Sequence, residues 1–234
     1  MQIFYAPGIK GDDFILDENE SKHSVRALRM SKGDPVRLID GTGNLYEGII
    51  TDPDPKGCRI KVQKIIQGFE RRDYSLHIAI SPLKNPERFD WFVEKSVELG
   101  IDEITPLICR NSEKRSIRQE RVNNLIISAM KQSLKAKMTR LNTPEDFTHF
   151  IARERRGRLM IAHCSHSMER RRIADIYKKG ENAVILIGPE GDFSNEEVIT
   201  AVEKGYVPVH LGMARLRTET AGIAACHSIY FLNQ

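Results

Sequence analysis

Apolar residues recur with two different spacings along the chain, and the change falls near residue 75. Before it, short apolar runs alternate with turn residues: PVRLID and YEGIIT flank the turn GTGN, and DPDPKG precedes CRIKVQKII. Runs of this kind, joined by Gly, Asn, Asp and Pro, are typical of hairpins. The pattern therefore predicts a small β-rich unit over residues 1–70, with one helix near residues 20–30.

From Ser75 onward, strand-like runs alternate with longer helical patterns. Five runs are almost wholly apolar, as expected for strands covered on both faces: LHIAIS (76–81), EITPLIC (103–109), RLMIAHC (158–164), AVILIG (183–188) and VPVHLG (207–212). Helical spacing is found over residues 86–100, 119–136, 168–180, 194–205 and 218–232. The alternation predicts a mostly parallel α/β sheet over residues 75–234, preceded by the polar linker GFERRDY (68–74).

The turn after the strand AVILIG has the composition of a ligand-binding loop. Gly188 to Gly191 break the strand, and Ser194 with Glu197 forms the sequence pattern of a capping box that opens a helix. Strand, glycine loop and helix N-terminus often hold phosphate in α/β proteins. Because Glu190 and Asp192 would repel a phosphate, the charges favour a neutral or cationic ligand.

A second loop of the same kind follows the fifth strand. The strand ends in glycine, a loop with Arg215 and Arg217 comes next, and a helix begins near Thr218 with Glu219 in its first turn. Two such loops at the carboxyl edge of one sheet would converge on one crevice. The helix is rich in Ala and Gly, so it can approach a backbone or ligand closely. Tight helix packing without any ligand explains the small residues equally well.

Composition narrows the class of protein. The net charge is +4, and basic residues crowd into RNSEKRSIRQER (110–121), KQSLKAKMTR (131–140), RERRGR (153–158) and MERRR (168–172). A solvated helix face explains any one such run, but four together favour a polyanionic partner. The four cysteines stand singly, which argues against a zinc site and a disulfide framework and for reduced cytosolic thiols. No apolar run approaches the ~20 residues that span a bilayer, and no signal peptide is expected.

Several motifs together resemble one known family. IGPEGDFSNEE (187–197) and LGMARLRTETA (211–221) resemble the two C-terminal motifs of SPOUT-type methyltransferases, and more narrowly the bacterial family that methylates N3 of a uridine in small-subunit ribosomal RNA. LKNPERFDWFVEKSVELGIDEITPL, AMKQSLK and HSVRALRMSKGD are similar to further family segments in the same order. The chain departs from the family at Asp192, where a second glycine is frequent, at Lys131, where an acid is common, and in MARLR, which replaces RILR.

The resemblance implies a fold and its partners. It implies a C-terminal SPOUT methyltransferase domain with a C-terminal trefoil knot, a small N-terminal PUA-like β-barrel domain, a homodimer, and a cytoplasmic enzyme that needs neither metal nor membrane. The partner would be 16S ribosomal RNA in the 30S subunit, and His23, Arg26 and Arg29 match the family's RNA-facing positions. Spacing of three would put these side chains on one face of a helix. The implied cofactor is S-adenosylmethionine, and the matching cofactor positions are Gly188, Pro189, Glu190, Gly191, Leu211, Gly212, Leu216, Arg217, Thr218, Glu219, Thr220 and Ala221.

Methyl transfer to a uridine requires particular side chains beside the reacting atoms. Methyl transfer from a sulfonium is an in-line displacement that needs positioning and a deprotonated nucleophile. Loss of the uridine N3 proton puts charge on the flanking carbonyl oxygens, which Arg217, Arg215 or Lys84 could stabilise. Glu219 is a candidate proton acceptor, or else only an anchor for its helix. Arg217 could instead be held in a salt bridge to Glu190 or Glu219.

The sequence is also compatible with two other function classes. One is an RNA-binding or ribosome-assembly protein without catalysis, which cofactor affinity would distinguish from an enzyme. The other is a nucleotide-dependent enzyme with GPEG as its phosphate loop, although GPEGDFS lacks the Lys and Ser/Thr ending of a P-loop.

Overall fold

The computed structural model describes residues 2–165 and 168–234 of the chain. Two compact units can be separated. The first runs up to Arg71 and includes Met130–Met138, and the second comprises Arg72–Ala129 and Thr139–Gln234. A short segment from the middle of the chain therefore belongs to the N-terminal unit, which no spacing of apolar residues indicates.

The first unit is built on a five-stranded sheet in the order β1-β3-β4-β5-β2. Its strands are β1 (Gln2–Tyr5), β2 (Asp13–Ile15), β3 (Pro35–Ile39), β4 (Leu45–Asp52) and β5 (Arg59–Ile66). The predicted hairpin is confirmed: β3 and β4 pair antiparallel around a turn in which the buried Asp40 carboxylate accepts hydrogen bonds from Thr42 and Asn44. Alternate strand residues, including Phe4, Leu38 and Ile60, form the core.

The predicted helix near residues 20–30 exists but has a different form. Helix α1 (Glu18–Lys22) continues as a π-helical turn, His23–Ala27, in which the Leu28 N–H donates to the His23 carbonyl at 3.0 Å. Arg29 lies beyond this turn with φ 55°, in the left-handed region. The expectation that His23, Arg26 and Arg29 share one helical face is therefore wrong, because a wider turn and a left-handed residue interrupt the α-helical spacing. All three side chains are exposed.

The second unit contains the predicted parallel sheet. Its strands are β6 (Leu76–Ile80), β7 (Glu103–Ile108), β8 (Arg140–Leu141), β9 (Glu145–Asp146), β10 (Arg158–Ala162), β11 (Arg171–Arg172), β12 (Ala183–Ile187) and β13 (Val207–His210). The order is β11-β13-β10-β12-β6-β7-β8, with β9 also pairing β7, and every pair is parallel. The central strands β6 and β12 are buried at every position, as their unbroken apolar runs predict.

Among the described residues, five helices connect strands of this unit, α2 (Pro86–Glu98), α3 (Gln119–Gln132), α4 (Phe147–Ala152), α5 (Ile173–Ile176) and α6 (Asn195–Glu203), and α7 (Thr218–Leu232) follows β13. The helix predicted over residues 168–180 is wrong in extent, since only α5 is helical there. Arg171 and Arg172 instead pair with Val209 and His210 as an edge strand. Charged residues suit such an edge because they discourage pairing with another chain. In the described part of the chain, none of the helices has the length and apolar character needed to span a membrane.

Candidate active site

Three neighbouring parallel strands deliver their loops to one edge of the sheet. Strand β10 lies between β12 and β13, so the segments after these strands converge, as the sequence predicts. They enclose a cavity of about 370 Å³ together with the start of α7. Its walls are formed by Arg88, Ala162, Cys164, Ile187, Gly188, Pro189, Glu190, Asp192, Arg215, Leu216, Arg217, Thr218 and Ala221.

The loop after β12 is shaped by its glycine and by the cap of α6. A Cβ added at Gly188 would lie 3.0 Å from the Phe193 ring, so only glycine fits without a shift. The predicted capping box is confirmed: the Glu197 N–H donates to Ser194 Oγ at 3.2 Å, and the Ser194 N–H donates to Glu197 Oε2 at 2.8 Å. The helix N-terminus is thus satisfied by the chain's own oxygens beside further carboxylates, which argues against a phosphate seat.

The conformation of Asp192 explains why this residue can replace the glycine that is frequent in the family pattern. Its φ of 62° is left-handed, a conformation that glycine adopts most easily and that Asp tolerates better than most residues. The carboxylate accepts hydrogen bonds from the Cys164 N–H at 2.8 Å and from the Phe193 N–H at 2.9 Å. Asp192 therefore ties the loop after β12 to the segment after β10.

Gly191 lies beside the cavity rather than in its wall. Asn111 Nδ2 donates to the carbonyls of Gly191 at 3.3 Å and Asp192 at 3.0 Å, and a Cβ at Gly191 would meet Asn111 at an ordinary 3.4 Å. Sequence reasoning missed Asn111, because its role depends on residues 80 positions away.

The loop after β13 lines a smaller cavity of about 60 Å³, which shares Ala162, Cys164, Leu216 and Ala221 with the larger one. Leu211 and Gly212 contribute to this smaller cavity. The candidate cofactor residues in the wall of the larger cavity are Gly188, Pro189, Glu190, Leu216, Arg217, Thr218 and Ala221. Gly191, Glu219 and Thr220 line neither.

His163 also lines the smaller cavity and was missed by sequence reasoning. It is buried, and neither ring nitrogen has a hydrogen-bond partner among the described residues. Burial lowers the pKa of His163, with the charge of Arg170 acting in the same direction and Asp192 opposing them. A titratable side chain near the end of a predicted buried strand is the signal that could have identified it.

The charged candidate residues differ in burial and in pairing: Glu219 is buried and paired, whereas Arg215 and Arg217 are exposed and unpaired among the described residues. Glu219 is buried, and its Oε1 lies 3.8 Å from Arg88 Nε, so an arginine of α2 that the sequence did not single out holds it. Arg215 and Arg217 are exposed and form no ion pair with any residue in 2–165 or 168–234. The alternative that Arg217 pairs with Glu190 or Glu219 is therefore wrong.

Lys84 does not join these arginines. Its Nζ lies 3.1 Å from Glu113 Oε2, and it lines a different hollow. Its backbone N–H donates to Glu190 Oε1 at 3.3 Å, which connects the β6–α2 loop to the loop after β12.

Lys131, where the family commonly has an acid, belongs to the first unit. Its Nζ lies 2.6 Å from Glu20 Oε1, so the chain uses it to hold α1. Within the described ranges, no group of three His, Cys, Asp or Glu side chains is arranged to hold a metal ion.

Comparison with known families identifies both halves of the chain. Residues 70–230 match the family described as RNA methyltransferase domain, and residues 16–63 match the RNA methyltransferase PUA domain. The chain belongs to the RNA methyltransferase family. The expected pairing of a PUA domain with an α/β methyltransferase domain is thereby confirmed.

Individual relatives are similar to this RNA methyltransferase chain over nearly its whole length. A probable rRNA-methyltransferase from Porphyromonas gingivalis has 40% identity and a TM-score of 0.93, covering 100% of this chain and 98% of that one. The ribosomal RNA small subunit methyltransferase E of Buchnera aphidicola is 28% identical over 96% of this chain and 90% of its own length. The Neisseria gonorrhoeae protein of that name, solved bound to S-adenosyl methionine, has 25% identity and a TM-score of 0.87, covering 99% and 98%.

Proposed function

We propose that this chain is an S-adenosylmethionine-dependent methyltransferase that modifies N3 of a uridine in 16S ribosomal RNA of the small subunit. The observation that carries the proposal is the cavity of about 370 Å³ between the loop after β12 and the start of α7. It occurs in a chain that aligns over nearly its whole length with a small-subunit rRNA methyltransferase bound to that cofactor.

The cavity fits the chemistry of this cofactor. Its volume lies within the range of about 300–1,000 Å³ usual for ligand pockets. Ile187, Leu216 and Ala221 offer apolar wall to a base, and Gly188 lets the backbone approach closely. The exposed Glu190 carboxylate suits a cationic sulfonium and amino group better than a phosphate. We assign the other family positions, including Gly191, Leu211, Gly212, Thr218 and Thr220, to the same cofactor loops.

We assign a different role in the reaction to each charged side chain near the cavity. The bound cofactor supplies an electrophilic methyl group. Arg217 and Arg215 are exposed and form no ion pair with described residues. They stabilise the negative charge on the uracil oxygens when N3 loses its proton. Glu219, held by Arg88, anchors the start of α7 rather than accepting the proton. Lys84 acts on the site through its N–H bond to Glu190.

The proposal extends to the whole chain. We propose a PUA-like β-barrel domain over residues 1–70 that binds RNA through the exposed His23, Arg26 and Arg29, and a SPOUT domain over residues 75–234 with a C-terminal trefoil knot. We also propose that the chain forms a homodimer and acts on the 30S subunit in the cytoplasm. Phosphate contacts from the N-terminal unit would supply affinity, while the site in the second unit would choose the base.

Calorimetry tests the cofactor site most directly. S-adenosylmethionine and S-adenosylhomocysteine should bind the wild-type protein with micromolar or tighter affinity. Ala221→Leu should weaken binding about tenfold or more, because the longer side chain enters both cavities. Ala224→Leu, one turn further along α7 and outside both walls, is the matched control and should bind normally.

The reaction is tested on small ribosomal subunits that lack the modification. Mass spectrometry should find N3-methyluridine in their 16S RNA after incubation with protein and cofactor. Absence of cofactor binding both to free protein and to protein with small subunits would contradict the enzyme and favour a binding protein that kept the fold.

A further inference from the structure

A second hollow, of about 300 Å³, lies in the methyltransferase unit and shares no lining residue with the cavities described above. The β6–α2 loop, the start of α2 and residues 114–122 enclose it. Its floor is apolar, since Leu83, Phe89 and Val122 line it and are each at most 3% exposed. Its rim is basic, so the hollow combines the two surfaces that a nucleotide presents: a flat apolar base and an anionic phosphate.

Acidic side chains balance only part of the positive charge at this rim. Within the basic run 110–121, Arg110 pairs with Glu196 at 3.0 Å, Arg115 with Asp146 at 3.1 Å and Arg121 with Asp90 at 2.6 Å. Lys114 and Arg118 form no ion pair with any described residue, and these two exposed side chains line the hollow. Lys84, paired with Glu113, and Arg121, paired with Asp90, also line the hollow, so the net positive charge of its rim comes from Lys114 and Arg118.

We propose that this hollow binds one unstacked nucleotide of the RNA substrate. The base lies over the floor formed by Leu83, Phe89 and Val122, and Lys114 and Arg118 contact its phosphates. Single-stranded RNA is commonly bound in this way, with splayed bases on apolar or aromatic side chains and cations on the backbone. The inference rests on the proposed function, which it deepens by adding a substrate subsite.

The hollow is connected to the proposed cofactor site. The Lys84 side chain lines the hollow, while its backbone N–H donates to Glu190 Oε1, and Glu190 is in the wall of the 370 Å³ cavity. One loop therefore contacts both places. A nucleotide held in the hollow would fix a neighbour of the target uridine and so help to position the reacting base.

The test compares two double variants of the same basic run. Lys114→Ala with Arg118→Ala should weaken binding of a 16S rRNA transcript about tenfold at ~0.1 M salt, and should reduce the slope of log K against log salt by about 1.4, since each of the two phosphate contacts contributes about 0.7 on a single strand. Arg110→Ala with Arg115→Ala removes two charges whose partners lie elsewhere and is the matched control, with a much smaller effect. Ser116→Leu, which narrows the hollow without altering charge, should weaken RNA binding and leave the salt slope unchanged.

Each outcome has a defined meaning. Equal losses in the two double variants would overturn the proposal, because the charges would then act as a diffuse field, and so would unchanged RNA binding in all three variants. Tight binding of uridine monophosphate alone, lost in Lys114→Ala/Arg118→Ala while RNA affinity is unchanged, would overturn it in favour of a free nucleotide. Calorimetry with S-adenosylmethionine should be unaffected by every variant; failure of that titration in the wild-type protein would count against the proposed function and not against the hollow.

Discussion

Asp192 holds a backbone conformation that costs a non-glycine residue free energy, and its side chain offsets that cost. The left-handed φ of 62° is unfavourable by about 1–2 kcal/mol for an ordinary L-residue. The two hydrogen bonds to the Cys164 and Phe193 N–H groups recover a comparable amount. A residue that departs from its family is thus explained by the contacts it makes.

Substitution at Asp192 should separate these two contributions. Asp192→Ala keeps the left-handed strain and loses both hydrogen bonds, so the free energy of unfolding should fall by about 2 kcal/mol. Asp192→Gly loses the same bonds but relieves the strain, and should be the less destabilised variant. Urea denaturation measures both. If the alanine variant were as stable as the glycine variant, the backbone at this position would not be strained in solution.

Residues in and beside the two cavities could be predicted from the sequence only where they belong to a local motif. Gly188, Gly212 and Arg217, which line the cavities, follow from motifs within a dozen residues, and so does the capping box of α6. Arg88 and Asn111 do not, because each acts through a partner far along the chain: Glu219 for Arg88, and the Gly191 carbonyl for Asn111. His163 could be predicted as part of a strand. The absence of a hydrogen-bond partner for its ring among the described residues could not be predicted, because it depends on how three loops meet in the fold.

At the scale of elements, the contact between α2 and α7 depends on a single glycine. Helix α7 packs on α2 and on β6. A Cβ added at Gly222 would lie 2.6 Å from two atoms of the fully buried Phe92 ring and 2.9 Å from Ile80 Cδ1. Since α7 also forms one wall of the proposed cofactor site, this close approach sets the position of that wall.

Gly222→Ala tests the close approach. At an open helical position the change would stabilise by about 1 kcal/mol through helix propensity. Here the added methyl collides with a packed ring, so the free energy of unfolding should instead fall by about 1–3 kcal/mol. Ser228→Ala, a half-buried position on the same helix, is the control and should change stability little. Thermal and urea unfolding give the result; stabilisation of Gly222→Ala would show that the two helices pack more loosely.

Long elements were predictable because their pattern is repeated many times, and short ones were not. The unbroken apolar run of β12 and the capped start of α6 each match the structure to within one or two residues. The two-residue strands β8, β9 and β11 have no period to detect. Over residues 168–180, buried Ile173 and Ile176 mimic a longer amphipathic helix, although tertiary pairing with β13 takes the preceding arginines into the sheet.

At the scale of the whole molecule, the sequence predicts two structural classes in one chain but not which residues complete each unit. Residues 130–138 join the N-terminal unit through contacts such as the Gly43 N–H to the Ala136 carbonyl at 3.1 Å and Lys135 Nζ to Glu70 at 3.0 Å. No local pattern can reveal this, because the information lies in pairs of residues some 65 to 95 positions apart.

The stability of the second unit should depend on pH through His77, which is buried at the start of β6. Its Nε2 lies 2.8 Å from Thr105 Oγ1, and its ring packs edge-on against Phe150. Burial, together with the charges of Arg155 and Arg140 and against that of Glu103, lowers the pKa of His77 to about 4. In the unfolded chain the same imidazole titrates near its ordinary value of about 6.5.

The sign of the effect follows from the protons bound. Between pH 6.5 and 4 the unfolded chain carries a proton on His77 that the folded protein lacks, so acid favours unfolding. The free energy of unfolding should therefore fall by about 3 kcal/mol across this interval, on top of the contribution of other groups. His77→Gln, measured by urea denaturation at pH 7 and pH 5, should lose this part of the decline while remaining folded at pH 7. An identical decline in the variant would mean that His77 takes up its proton in the folded state as readily as in the unfolded chain, and that other buried groups set the acid limit of the fold.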